Sequence, residues 1–257
     1  MTHGLRSVGI ALLVVAAACS SSASKSAPPT APPSTKPTPT SVTPARCVPP
    51  GPSTTPAATR VSGVASDWTL TSFDGTKIRM HWFVAPGATA AHPVPTVLMG
   101  PGWGESGATN TTDLGLFGAL TVGSLLKNGY NVLTWDPRGF GKSTGTVEID
   151  SAAFEGRDVE EMIDWIATQP GVELDGPRDP RVGMTGASYG GGIQLVVAAI
   201  DCRVDAIVPT IAWHSLTTSL FKADTPKNGW SGLLIAATAG RAVDPHITDS
   251  YQASTTS

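Results

Sequence analysis

The pentapeptide Gly186-Ala187-Ser188-Tyr189-Gly190 lies between a short apolar run, RVGMT, and a helical stretch, YGGGIQLVVAAI. A serine on a sharp strand-to-helix turn takes a strained backbone, and only glycines two before and two after leave room for it. The turn lifts the hydroxyl above the sheet, at the positive end of the following helix, where the Tyr189 N–H faces an oxyanion. Ser188 is therefore the candidate nucleophile and Tyr189 a candidate oxyanion donor. An ordinary strand–helix turn is the plainer reading of the same five letters, and the strand before and helix after weigh against it.

The flanking pattern sets the fold class. Trp68 to Phe73 and Lys77 to Val84 alternate around Asp74-Gly75, a hairpin signal. Pro95 to Met99, Tyr130 to Trp135, Arg181 to Thr185 and Ala206 to Ala212 are short apolar runs with the look of buried strands. Helical spacing is expected over Thr112–Asn128, Ala152–Thr168, Tyr189–Ile200 and Trp230–Thr238. In the second of these Phe154, Val159, Met162, Ile163 and Ile166 face inward, and Glu155, Arg157, Glu160 and Glu161 outward. Strands separated by helices predict an α/β fold: an open, mostly parallel sheet with helices on both faces. Six strands are expected, over residues 61–257.

Two further glycine motifs compete for attention. Gly102-Trp103-Gly104-Glu105-Ser106-Gly107 has the G-x-G-x-x-G letters but follows the third strand, and its next acid, Asp113, falls too early for a ribose. Gly141-Lys142-Ser143 resembles the end of a P-loop whose required first glycine is Asp136. No cofactor and no metal site are expected. An oxyanion hole needs a second N–H from the loop after the third strand, and Trp103 supplies it. Packing at the sheet edge is the alternative role for its side chain.

The N-terminus reads as an address. Arg6 precedes eleven apolar residues, Val8 to Ala18, and Ala16-Ala17-Ala18-Cys19 resembles the lipobox of bacterial lipoproteins. That run is shorter than the roughly 20 residues a spanning helix needs. Residues 1–18 are expected to be a signal peptide, with Cys19 lipidated on the outer face of the membrane; plain secretion is the alternative. Residues 19–60 carry half of the 22 prolines and read as a disordered stalk. Cys47 in that stalk pairs with Cys202 in one reading; in the other Cys47 is free and Cys202 buried. No acidic residue precedes Asp67, so residues 67–257 hold 12 basic against 20 acidic side chains, a net of −8. Phosphate backbones would repel such a surface, which excludes nucleic acid as a partner.

With these residues in place the chain resembles the α/β-hydrolases. It is most similar to the X-Pro dipeptidyl-peptidase and cocaine-esterase-like acyl hydrolases, from about Trp68 onward. The resemblance rests on Phe73-Asp74-Gly75, on Trp135-Asp136-Pro137-Arg138-Gly139-Phe140-Gly141-Lys142-Ser143, and on Gly186-Ala187-Ser188-Tyr189-Gly190-Gly191. It implies a peptide or ester substrate, Ser188 as acyl-enzyme nucleophile, no cofactor, and a bracing role for Asp136 and Arg138.

A serine of this kind needs a histidine to take its proton and an acid to orient the histidine. In this fold both follow the nucleophile, on later strands. His214, directly after the sixth strand, is a candidate base or pocket residue. His246, His81 and His92 fit the role less well, and Asp224, Asp244 and Asp249 follow no recognisable strand. The last strands of the hydrolase core are expected to be missing, with a cap beginning at about 222–240. Two further readings remain: a surface lipoprotein that keeps the fold as a binding module, and a truncated fragment.

Overall fold

The structure is a computed structural model and describes residues 47–50, 56–64, 66–112, 120–223 and 225–256. The expected signal peptide, Cys19 with its lipid, and most of the expected stalk lie outside the described residues, as do Asp113 and Asp224.

In chain order the elements are β1 (Ala58–Arg60), β2 (Asp67–Thr71), β3 (Lys77–Phe83), β4 (Thr96–Gly100), α1 (Val122–Lys127), β5 (Asn131–Trp135) and α2 (Glu155–Ile166). A small hairpin, β6 (Leu174–Gly176) and β7 (Asp179–Pro180), leads into β8 (Val182–Ala187), α3 (Tyr189–Ile200) and β9 (Val204–Thr210). Then come α4 (Leu216–Leu220), the pair β10 (Phe221–Lys222) and β11 (Thr225–Pro226), α5 (Asn228–Ala236) and α6 (Pro245–Thr256).

Seven strands form one sheet in the order β1-β2-β3-β5-β4-β8-β9. The first three are antiparallel and join β5 antiparallel; β5, β4, β8 and β9 run parallel. Alternate side chains on a strand face opposite sides, and β4 shows the result. Leu98 packs with Val159, Met162 and Ile163 of α2 and Ile193 and Val197 of α3. Met99, on the other side, packs with Val122 and Leu125 of α1. Helices therefore cover both faces, as the strand–helix alternation requires.

Several expectations change. The sheet has a seventh strand, β1, in residues assigned to the stalk; it pairs with β2 through Ala58↔Leu70 and Arg60↔Trp68. Its three residues are too short to show a period, so only the partner strand reveals it. Cys47 and Cys202 form a disulfide with Cα atoms 5.6 Å apart, and Cys202 is exposed rather than buried. The helix expected from Thr112 begins at Val122, where Thr121 and Ser124 form a reciprocal cap; part of the expected span lies outside the described residues. Glu155 is buried, not outward. It lies four residues before Val159, so it shares the inward stripe of α2. The helix near the expected cap is α5, and none of its residues is buried. Among the described residues no strand after β9 joins the seven-stranded sheet; β10 and β11 pair only with each other.

Candidate active site

The C-terminal ends of β4, β5 and β8 bring together the loops that the glycine motifs mark. Ser188 stands between β8 and α3 with φ 55° and ψ −115°. A side chain at positive φ costs roughly 1–3 kcal/mol and persists only where neighbours hold it. The Ser188 N–H donates to the Thr210 carbonyl at 2.9 Å, and the Ser188 carbonyl accepts from the N–H groups of Gly191 and Gly192 at 2.9 Å each. Gln194, the polar residue in an otherwise apolar helix, closes the turn. Its Nε2 donates to the Gly190 carbonyl at 2.6 Å and the Gly186 carbonyl at 3.3 Å, and its Oε1 accepts from the Val208 N–H at 2.9 Å. That lone amide in YGGGIQLVVAAI was a visible signal for this clasp.

Tyr189 and Trp103 meet. Their rings lie edge to face with centroids 5.0 Å apart, and Phe140 packs on both. Trp213, next to His214, stacks on Tyr189 at 6.4 Å. The Trp103 indole donates to the Leu234 carbonyl of α5 at 2.8 Å. In the same loop the Gly102 N–H is held by Glu105 Oε2 at 2.9 Å. Among the described residues, the backbone N–H groups of Trp103 and Tyr189 have no hydrogen-bond partner, the state in which they can serve an oxyanion.

Asp136 ties the neighbouring loops. Its Oδ1 accepts from the Gly107 N–H at 2.9 Å and its Oδ2 from the Lys142 N–H at 2.7 Å. Buried His81 of β3 lies between Asp67, 2.9 Å from Nδ1, and Asp136, 3.6 Å from Nε2. Arg138 is clamped by Asp158 through two bonds of 2.8 Å and by Asp74 at 3.0 Å. A cleft beside the elbow, about 270 Å³ with its open mouth included, is lined by Arg138, Asp150, Glu155, Asp158 and Tyr189 among others. Burial pushes Glu155 up to about 7 and Asp150 well above the usual carboxylate range, with Glu155 adding repulsion at Asp150. Both Asp150 carboxyl oxygens are buried without a hydrogen-bond partner, which disfavours the charged form. Asp150 carries no local sequence signal, and Glu155 is buried although a charge in isolation favours solvent.

The histidines do not complete the site. His214 follows β9 and is exposed; His246 is exposed at the start of α6, its backbone N–H donating to Asp244 Oδ1 at 2.8 Å. His92 lies in an exposed turn closed by Thr89. Among the described residues, no histidine hydrogen-bonds Ser188 Oγ. Asp249 lies within α6, away from any strand end. Among the described residues, no cluster of ligands for a metal ion is present.

A family model described as X-Pro dipeptidyl-peptidase (S15 family) matches residues 74–255. An uncharacterized 31.7 kDa protein of Escherichia coli, from the traX-finO intergenic region, is 34% identical over 85 residues, 33% of this chain and 28% of that protein. A CocE/NonD family hydrolase from Staphylococcus aureus superposes with a TM-score of 0.56 at 21% identity, over 72% of this chain and 35% of that one. Acetyl xylan esterase 1 from Thermoanaerobacterium sp. gives 0.50 at 22% identity, over 69% and 59%. This chain thus spans less than two thirds of each of these relatives, and about a third or less of the first two. The structural likeness shows the α/β-hydrolase fold.

Proposed function

The chain belongs to the X-Pro dipeptidyl-peptidase (S15) family and is a hydrolase by that membership, and from this premise we propose that it cleaves amide or ester bonds through an acyl-enzyme on Ser188. One observation carries the reading: Ser188 holds a strained φ of 55° between a buried parallel strand and the helix it opens. In the reaction Ser188 Oγ attacks the substrate carbonyl and gives its proton to a base. The N–H groups of Tyr189 and Trp103 hold the oxygen that becomes negative. The carbonyl then re-forms, the amine or alcohol leaves with a proton, and water releases the acyl group.

His214 is the candidate base, since it lies at the sheet end where β9 delivers Thr210 to Ser188. We further propose export, with Cys19 as the lipid anchor. A disulfide between Cys47 and Cys202 supports it, because such bonds persist in oxidising compartments.

The test is labelling of the purified 19–257 segment by a fluorophosphonate, beside Ser188→Ala and His214→Ala. Labelling lost in both variants supports the mechanism. Labelling kept in Ser188→Ala overturns it. The absence of a histidine bonded to Ser188 among the described residues favours a second reading, a binding module on the hydrolase fold; a folded wild type that takes no label supports that one.

A further inference from the structure

The strained serine is followed by a residue anchored at its far end. The Tyr189 hydroxyl accepts a hydrogen bond from the Asp150 N–H at 3.2 Å and donates to Glu155 Oε1 at 3.3 Å. Glu155 also accepts from the Glu148 N–H at 2.8 Å and the Ser151 N–H at 2.9 Å. Those two bonds close a turn in which Ile149 and Asp150 both take positive φ, 54° and 50°. One carboxylate therefore shapes the loop that presents an N–H to Tyr189, and receives the Tyr189 hydroxyl itself. The ring between these two ends packs edge-on against Trp103. Any tilt of Tyr189 moves the donor on its own backbone and presses on the residue that carries the other.

We propose that Glu155 is a positioning residue for the Ser188 chemistry: acting through the Tyr189 hydroxyl, it holds the Tyr189 backbone N–H at the oxyanion site. This rests on the reading of Ser188 as nucleophile. Glu155 lines the cleft beside the elbow, and the role proposed for it runs through Tyr189. The groups that face it are Asp158 from its own helix, Asp150 from the 148–151 turn, Tyr189 from α3, and Arg138 from the segment after β5, itself neutralised by Asp158 and Asp74. Burial brings the Glu155 carboxyl to about 7. Its proton then competes with the Tyr189 proton for the same oxygen in the neutral range, so the hold on Tyr189 varies with pH there.

The protein has three tyrosines, Tyr130, Tyr189 and Tyr251, so ¹⁵N-tyrosine labelling gives three amide signals, and Tyr189→Phe identifies the one needed. The Tyr189 amide is expected to shift with pH through the neutral range in the wild type and to lose that shift in Glu155→Gln. The fluorophosphonate labelling rate is expected to fall about tenfold in Glu155→Gln and in Tyr189→Phe, less than the 10²–10³ that follows loss of an oxyanion donor. The double variant should be no slower than either single one. Additive losses, or a Tyr189 amide indifferent to Glu155 in a protein that labels normally, overturn the positioning role alone. A wild type that never labels overturns the reading of Ser188 and this role with it. Where Glu155→Gln does not fold, Tyr189→Phe keeps the ring and decides: a lower melting temperature at an unchanged labelling rate marks a merely structural contact and overturns the proposal.

Discussion

Gly190 lies so close to Gly100 that a Cβ on Gly190 would sit 2.2 Å from the Gly100 carbonyl oxygen and 2.8 Å from that of Pro101. Both neighbours are backbone, so neither can swing aside. The first turn of α3 thus leans directly on the end of β4, and the loop that carries Trp103 begins where the helix after Ser188 touches it.

Gly190→Ala should therefore destabilise the fold by on the order of 3 kcal/mol, the upper part of the range for overpacking. Gly183→Ala is the control, since its new Cβ would meet nothing closer than the Ala206 carbonyl oxygen at 3.5 Å. Urea unfolding of the two variants measures the difference; equal midpoints would show that the α3–β4 contact yields.

Asp158→Asn should cost about 3–5 kcal/mol, the usual loss when one partner of a buried ion pair is removed. Arg138 and Asp158 are each 2% exposed, and Asp158 supplies two of the three bonds that hold the guanidinium. Asp74 alone cannot replace them. Chemical denaturation checks this, and a loss under about 1 kcal/mol would mean that water reaches Arg138.

Stability should fall as the solution becomes alkaline, in part through His81. Burial disfavours its charged ring, but Asp136 and Asp67 outweigh that and hold its pKa above 6.5. A raised folded pKa gives a contribution fully present below about 6.5 and lost as pH rises through the folded value. Glu155, raised to about 7 by burial, adds a fall of the same sign between its ordinary range and that value. His81→Gln should flatten the pH dependence of the urea midpoint above 6.5 without abolishing it. An unchanged slope would refute an ionised His81 between the two carboxylates.

The Cys47–Cys202 bond spans 155 residues of sequence. The chain-entropy relation for a loop of that length gives about 5 kcal/mol, and removing native disulfides from small secreted domains typically costs 2–5 kcal/mol. Cys47→Ser, or reduction with dithiothreitol, should lower the unfolding midpoint accordingly. Intact-mass measurement with and without a thiol reagent confirms the pairing. Identical midpoints for oxidised and reduced protein would leave the bond without a stabilising role.

The elbow at Ser188 was legible because all its causes are local: an apolar strand, two glycines and an apolar helix within twenty residues. The bracing roles of Asp136 and Arg138 follow only from the family resemblance, because their partners Gly107, Asp158 and Asp74 lie 20 to 64 residues away in sequence. Glu155 is set by distant partners as well. Its charge argued for solvent, while its spacing to Val159 argued for the core. The 148–151 turn folds back and supplies two N–H groups, and that settles the matter. Asp150 was invisible, since nothing in its neighbours announces that its N–H will meet the Tyr189 hydroxyl in the interior.

The sequence by itself determined the strand–helix order, the parallel sheet and the serine on its turn. These follow from periods of two and 3.6 and from glycine's lack of a Cβ, all of which act within a few residues. The tertiary structure decided the pairing of Cys47 with Cys202, the addition of Ala58–Arg60 to the sheet edge, and the burial of Glu155 beneath Tyr189. Each depends on which distant backbone groups arrive to replace water. A buried charge or an unpaired strand is tolerated only where such partners come within hydrogen-bonding reach, and folding alone brings them there.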